Sequence, residues 1–288
     1  MREKGQKSKM YKNREKEMNY VWIDEDNADD FLSVLPRKLT FTDSHICVGI
    51  TDEENYICGA ICYRYTAYQY DILWLYVVPE RRRQGIGSLL VDIVYKVVGR
   101  SGDIYPISAM FEADEEDSLY PFFISYDKMD VSYSHDRYIL SPKDVYGALL
   151  PPEAGKQTLV QTPFFSLSEG VQKRILSRLR EEEGYCPDDY DSWKTGIIPQ
   201  LCRCIIKDDD LKNVVFVHGR PGGNLELSYV YSKNSRGLAE ILMATAWDIE
   251  DKFPDAKVYF DAVSEDAGQL AKKLFPRKKV VHVYEALW

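Results

Sequence analysis

The clearest hydrophobic pattern of the chain lies between Asp71 and Val98. Residues 71–78 predict a strand that is apolar on both faces, with Ile72, Trp74, Tyr76 and Val78 on one face and Leu73, Leu75 and Val77 on the other. A strand covered on both faces is typical of the interior of a sheet. From Ile86 to Val98 apolar residues recur every three or four positions, which predicts an amphipathic helix that opens at Gly85.

A short polar loop, Arg82-Arg-Gln-Gly-Ile-Gly-Ser88, joins this strand to the helix. Glycines let the backbone turn tightly, and the free amides and dipole of a helix start favour a phosphate group. The alternative is an ordinary turn between strand and helix, in which the glycines only allow the backbone to bend tightly. Three consecutive arginines, Arg81 to Arg83, favour the anion site.

The two halves of the chain predict the same order of strands and helices. The first half predicts a strand from Tyr20, a short helix at 28–35, a hairpin of strands 45–51 and 56–65, and a strand at 103–111. This last strand is expected to run parallel to 71–78, because a helix crosses between them. After a segment rich in proline and glycine (142–155), Tyr229-Val-Tyr231 matches Tyr76-Val-Val78, and Arg236-Gly-Leu-Ala239 matches Gln84-Gly-Ile-Gly87.

With its strand, loop and helix in this order, the segment Arg82-x-x-Gly85-x-Gly87 resembles the acyl-CoA loop of the GNAT N-acetyltransferase superfamily. The resemblance extends over about residues 19–141. It implies an α/β (α+β) protein with two GNAT-like domains, each a mixed, mostly antiparallel central sheet flanked by helices. The expected organisation is a disordered basic tail (1–18), a catalytic domain that binds acyl-CoA (19–150) and a degenerate GNAT-like domain (157–288).

The resemblance also implies roles for individual residues. The pantetheine arm of acetyl-CoA would lie along Tyr76, Val77 and Val78, and the diphosphate on Arg82, Arg83, Gln84, Gly85, Ile86, Gly87 and Ser88. Asp71, at the start of the central strand, is the expected base; a plain strand-end role is equally open. For the acid we expect Tyr120, with Tyr126 or no residue as alternatives, because Phe123 stands where the family usually has its tyrosine.

Charge and composition narrow the function further. The net charge of −9 argues against a nucleic-acid partner, and no apolar run is long enough to span a membrane. The six cysteines form no C-x-x-C pair, which favours free thiols in a cytoplasmic protein, and the four isolated histidines suggest no metal site. Acidic runs at 24–30 and 112–117 could attract a cationic amine, although most charge runs are only solvated surfaces.

The leading hypothesis is an acetyl-CoA-dependent N-acetyltransferase that acts on a primary amine of a small molecule or peptide. The alternative is a non-catalytic relative that binds acyl-CoA or docks a partner. In the second copy, Glu240 replaces Ser88 and Lys233-Asn-Ser235 replaces the arginine run. A carboxylate in the first helical turn repels a diphosphate, so this copy is expected not to bind CoA there. Three roles remain open to the second copy: it could pack on the first domain, form one wall of the substrate cleft or mediate homodimerisation.

Overall fold

A computed structural model describes residues 18–36, 44–66, 69–101, 105–113, 119–147, 160–183, 196–208 and 210–288. The predicted basic tail up to residue 17, residues 148–155 of the linker-like segment, and the acidic residues 114–117 lie outside the described residues. The chain forms two compact units. One consists of the described residues up to Ser134 together with Val283–Trp288, and the other of His135–His282.

The first unit contains strands β1 (Met18–Ile23), β2 (His45–Asp52), β3 (Ile57–Tyr65), β4 (Tyr70–Val77) and β5 (Ile107–Ala113). Neighbouring strands from β1 to β4 pair antiparallel, whereas β4 and β5 pair parallel, as predicted. The C-terminal residues of β12 (Val280–Leu287) complete this sheet. Ile107 and Trp288 exchange two backbone hydrogen bonds there, of 3.2 and 3.0 Å.

Helices α1 (Ile86–Ser101) and α2 (Leu119–Ser125) pack on one face of this sheet. The predicted apolar positions of α1 are buried, with Leu90 and Val94 fully inaccessible to solvent. On the other face, a cluster around Phe31 and Val34 packs against Cys47 and Cys62. The helix predicted over 28–35 is shorter than expected: only Ala28–Phe31 form a 3₁₀ turn.

The second unit contains β7 (Thr162–Pro163), β8 (Arg203–Lys207), β9 (Asp210–Arg220), β10 (Asn224–Ser232), β11 (Val258–Ala262) and residues 135–140 of β6 (Asp130–Leu140). Their order is β6-β11-β10-β9-β8-β7, with β10 and β11 parallel and the other pairs antiparallel. The helices are α3 (Pro142–Gly147), α4 (Glu169–Glu183), α5 (Ser235–Lys252) and α6 (Glu265–Leu274). A mixed sheet flanked by helices is therefore the architecture that the sequence predicts.

Candidate active site

The candidate site of the first unit begins where β4 and β5 separate. The parallel ladder joins Tyr70 to Ile107, Asp71 to Ser108 and Ile72 to Ala109, and it records no later pair between the described parts of the two strands. On its other side, β4 stays paired with β3 as far as Val77. Among the strands that the structure describes, none covers this edge of residues 73–77, and such an edge is where an extended ligand can pair with a sheet.

A β-bulge at Leu73 explains why the strands separate there. Across the antiparallel pair, Cys62 faces Trp74 but the adjacent Tyr63 faces Ile72, so Leu73 is an extra residue on β4. An extra residue bends its strand and reverses the alternation of side chains beyond it. The predicted alternation was consequently wrong at one position: Ile72 shares a core cluster with Leu75 and Val77, while Trp74, Tyr76 and Val78 pack on the opposite face.

The loop after β4 turns tightly into α1, as the glycines predicted. A 3₁₀ turn covers Pro79–Arg81, and Arg83 and Gly85 have φ angles of 60° and 86°. Gly85 suits this left-handed conformation because it has no Cβ. A Cβ added at Gly87 would lie 3.1 Å from the Phe122 ring. The first amides of a helix have no acceptors within the helix, so the start of α1 offers donors to an anion.

The three arginines of the loop have different partners. Arg81 forms a 2.5 Å ion pair with Asp52, which fastens the loop to the β2–β3 turn. Arg82 donates from Nε to the Val77 carbonyl at 3.0 Å and lies over the Tyr76 ring. Arg83 is exposed, and no partner for it is recorded in the described part of the chain. Arg83 is thus the side chain best placed to reach a phosphate, while Arg82 supports the strand edge.

These elements enclose a cleft of about 730 Å³ that lies entirely within the first unit. Eight of the ten residues predicted to bind the cofactor line it, namely Tyr76, Val77, Arg82, Arg83, Gly85, Ile86, Gly87 and Ser88. Val78 and Gln84 are not among its described lining residues. Gln84 donates instead to the Glu80 carbonyl at 2.9 Å. The opposite wall comes from β5 and α2, through Glu112, Leu119, Pro121, Phe122 and Ser125.

Comparison with known proteins agrees with this geometry. Residues 42–120, which span β2 to the start of α2, match a family model described as an acetyltransferase (GNAT) domain. The first unit carries a GNAT domain. No curated protein matches the sequence.

Solved structures extend the likeness over both units. A tandem GNAT protein from the clavulanic acid biosynthesis pathway matches with a TM-score of 0.65 at 13% identity, covering 94% of this chain and 98% of its own. A GCN5-related N-acetyltransferase from Sphaerobacter thermophilus matches at 0.58 and 13% identity, over 92% and 84% of the two chains. N-myristoyltransferase from Saccharomyces cerevisiae, described with bound myristoyl-CoA, matches at 0.54 and 10%, over 94% and 82%. At these identities the likeness shows the fold.

Asp71, the expected base of the GNAT domain, lies at the start of β4 and outside the set of described residues that line the cleft. Its carboxylate accepts hydrogen bonds from Ser108 at 2.9 Å, Gln69 at 2.5 Å and Arg64 at 3.0 Å. Arg64 on β3 and Ser108 on β5 thus connect the start of β4 to both neighbouring strands. The arrangement fixes the sheet immediately before it opens.

The predicted acid, Tyr120, lies in the first turn of α2 between two residues that line the cleft. Its ring packs edge-on against Tyr284, with centroids 4.7 Å apart, and 6.3 Å from Phe111. Phe123 is buried and stacks on Phe111 at 4.9 Å. Neither Tyr120 nor Phe123 is among the described residues of the cleft wall, and the role of Tyr120 stays a prediction.

Tyr126, the alternative acid, points into the core of the GNAT domain. It is 7% exposed and its hydroxyl donates to Asp92 on α1 at 2.6 Å. Burial, together with this hydrogen bond, raises the pKa of the Tyr126 phenol well above its usual value. The hydroxyl is therefore a structural donor at neutral pH.

Two residues of the cleft wall were not singled out individually by the sequence analysis. Glu112 was noticed only as part of an acidic run, and Leu73 only as a core position of the central strand. In the structure, Glu112 is the last-but-one residue of β5 and lines the cleft. No signal in the sequence identified Glu112, because the predicted strand ends at Phe111 whereas β5 continues to Ala113. The bulge at Leu73 likewise has no signature in residue type.

In the second unit, β10 and β11 also separate after a short parallel pairing, but side chains occupy the start of the following helix, α5. β10 also has a bulge, at Ser228, shortly after its last parallel pair with β11. At the start of α5, the Asn234 side chain accepts from the Gly237 amide at 2.6 Å. A Cβ at Gly237 would lie 2.1 Å from the buried Asn213 side chain. Asparagine side chains thus occupy the place that is open at Gly85–Ser88, and Glu240 is buried beside Arg236 at 3.0 Å.

Proposed function

We propose that this protein is an acetyl-CoA-dependent N-acetyltransferase that transfers an acetyl group to a primary amine of a small molecule or peptide. The observation that carries the proposal is the cleft itself. It runs from the unpaired edge of β4 to the glycine turn and arginines at the start of α1. An edge that can pair with an extended arm and a helix start that favours a diphosphate are two parts of one acyl-CoA ligand.

The residues present fit this ligand in shape and charge. Gly85 adopts the positive φ that the turn requires, and Gly87 has no side chain to fill the space between the helix start and Phe122. Arg83 would bind the phosphates with Arg82 beside it, and the open edge at Tyr76 and Val77 would hold the pantetheine arm. When bound, acetyl-CoA supplies an activated acyl group. Main-chain donors near the separated strands would polarise its carbonyl.

The amine must lose a proton before it can attack, so the domain needs a nearby base. Asp71 and Glu112 are the two candidates, and they differ in place: Asp71 has three donors at the paired end of β4, whereas Glu112 lines the cleft. Tyr120 could protonate the departing thiolate only if its hydroxyl turned toward the cleft. Otherwise the thiolate takes its proton from solvent.

Calorimetry with CoA tests the cofactor part of the proposal. Reversal of two charges, Arg82→Glu with Arg83→Glu, should abolish binding, because four units of charge change beside the diphosphate. The matched control is Arg277→Glu with Lys279→Glu, which changes the net charge equally at exposed positions of the second unit. Undiminished CoA affinity in the first variant, or no affinity in the native protein, would refute the proposal.

A thiol-release assay over a panel of primary amines tests the catalytic part. A non-catalytic acyl-CoA-binding protein is the second candidate, and the burial of Phe123 and Tyr126 away from the cleft favours it. Release of free CoA that depends on an amine, with one acetyl-amine formed per thiol, supports the transferase. Binding of CoA without turnover on any amine supports the second candidate.

A further inference from the structure

One face of the sheet beside the cleft combines a carboxylate with exposed apolar side chains. Ser108, Met110 and Glu112 alternate along β5, so they lie on the same face. Asp71 is on this face too, because the Ser108 hydroxyl bonds its carboxylate at 2.9 Å, and Leu73 follows two positions later. The intervening side chains pack into the core on the other face: Ile72, Ile107, Ala109 and Phe111.

Leu73 and Met110 are the next residues on this face after the paired stretch. They immediately follow Ile72 and Ala109, the last pair of the parallel ladder. Their side chains are 45% and 54% exposed, unlike most large apolar side chains of these two strands. Leu73 lines the cleft, and Met110 precedes the cleft residue Glu112 by two positions on the same face. A single exposed apolar residue is ordinary, but two on one face beside a cleft offer a contact surface to an apolar group.

The charges of the cleft are separated along its length. Arg82 and Arg83 lie at the end near the start of α1, where they suit phosphates. Glu112 lies on the wall formed by β5, next in the alternation after Met110. A carboxylate there repels a diphosphate and attracts an ammonium group, so the same cleft distinguishes its two substrates by charge.

We propose that the acceptor is a primary amine carried on an apolar aliphatic or aromatic group. Its nitrogen binds at Glu112 and its apolar part covers Leu73 and Met110. This inference rests on the proposed transferase function and specifies its substrate class. Glu112 accepts a proton from the ammonium ion; the amine nitrogen then forms a bond to the acyl carbon while the carbon–sulfur bond breaks. The thiolate takes a proton from solvent, and the second proton of the nitrogen leaves to solvent.

Polar amines should be poor acceptors at such a surface. Leu73 and Met110 offer no hydrogen bonds to hydroxyl groups, so an amino alcohol or amino sugar would lose water without compensation. Each apolar group of the right size favours the matching substrate by about 10-fold or more. Selectivity is therefore expected mainly in KM, since the apolar contact is made before and during the reaction.

The test compares isopentylamine and phenethylamine with ethanolamine and glucosamine in the thiol-release assay, at saturating acetyl-CoA. The apolar amines should have kcat/KM at least about 10-fold higher. Met110→Ser should raise KM for isopentylamine about 10-fold and leave that for ethanolamine nearly unchanged. Ile124→Ser, which removes a side chain that is 56% exposed on α2, is the control and should change neither.

Glu112→Gln gives a second, independent measurement. It should lower kcat at least 100-fold for every amine, as loss of a general base does, while calorimetry shows CoA still bound. In the same variant, calorimetry of isopentylamine with the CoA-loaded protein should show at least 10-fold weaker binding. Asp71→Asn, the matched carboxylate change, separates the two candidate bases.

The outcomes distinguish this inference from the function on which it rests. Equal rates with polar and apolar amines, or Met110→Ser without effect on isopentylamine, would refute the apolar acceptor and leave the transferase intact. Loss of turnover in Asp71→Asn but not in Glu112→Gln would refute the role of Glu112. CoA binding with no turnover on any amine would refute the transferase function and this inference with it.

Discussion

Replacement of Tyr126 by phenylalanine distinguishes a structural tyrosine from a catalytic one. The Tyr126 hydroxyl is buried and donates to the Asp92 carboxylate at 2.6 Å, so it joins the end of α2 to α1. Lys128 also bonds Asp92. Tyr126→Phe removes one hydrogen bond and keeps the ring, which stacks with Phe122 at 5.7 Å.

The magnitude follows from the partners that remain. A hydrogen bond to a charged group contributes about 1.5–3 kcal/mol. The Asp92 side chain is 25% exposed and retains Lys128, so its desolvation is partly relieved and the lower end applies. We expect the free energy of unfolding to fall by about 1.5 kcal/mol, which corresponds to a loss of about 3–6 °C in Tm for a unit of this size.

Urea unfolding monitored by circular dichroism measures this change, and the thiol-release assay measures kcat in parallel. Tyr95→Phe is a matched control, because the Tyr95 hydroxyl donates to the neutral carbonyl of Lys128 at 3.1 Å; about 0.5–1.5 kcal/mol should be lost. The kcat of Tyr126→Phe should stay within about twofold of the native value. A drop of about 100-fold at unchanged stability would show that Tyr126 is the general acid and that our assignment is wrong.

Three further changes test other parts of the structure. Gly85→Ala should cost about 1–2 kcal/mol of stability in urea unfolding and weaken CoA binding, because φ at Gly85 is 86°. The control is Gly99→Ala inside α1, where a Cβ meets nothing within 4 Å, and it should stabilise the protein by about 0.5–1 kcal/mol. Equal effects of the two substitutions would contradict the strained turn at Gly85. Asn234→Ala should lower the thermal stability of the second unit by about 1 kcal/mol, as loss of a helix cap does, without changing CoA affinity. Burial alone would raise the pKa of Asp261, but hydrogen bonds from Arg137 and His135 hold that pKa well below its usual range. The contribution of the Asp261 carboxylate to folding stability is therefore complete above the pKa of about 4 that it has in the unfolded chain, and it is lost as pH falls through the pKa of the folded state. Asp261→Asn should lower the free energy of unfolding by about 3 kcal/mol at pH 7, and by less when urea unfolding is measured below pH 4.

The local part of the fold could be predicted because its signals are local. The helix after Gly85 has a strict apolar period, and the buried positions Leu89, Leu90 and Val94 match it. The glycine loop could be predicted as well, since its function needs particular residue types at fixed spacing. Conformation at Gly85 depends on the residue itself rather than on distant contacts.

What could not be predicted depends on pairing between distant strands. The bulge at Leu73 arises from register with Cys62 and Tyr63, and an apolar run looks the same with or without it. The bulge at Ser228 in the second unit was not predicted for the same reason. Strand propensity alone did not indicate which strand residues 283–288 pair with.

Glu112 shows the same limit at the candidate site. As part of a run it resembled solvated surface, and only the separation of β4 from β5 shows that this position lines the cleft. The expected base, Asp71, was assigned from the family resemblance, because it stands at the start of the central strand. That assignment does not specify whether the position faces a paired or an open stretch of sheet.

The membership of Val283–Trp288 in the first unit has a consequence for synthesis on the ribosome. Ile107 on β5 emerges early, yet the backbone groups that pair with it belong to Trp288. Until translation reaches those residues, β5 carries an open edge, which is the kind of surface that recruits other strands. Nascent chains stopped before residue 283 should therefore aggregate or bind chaperones even though every residue of the acyl-CoA loop has already been made.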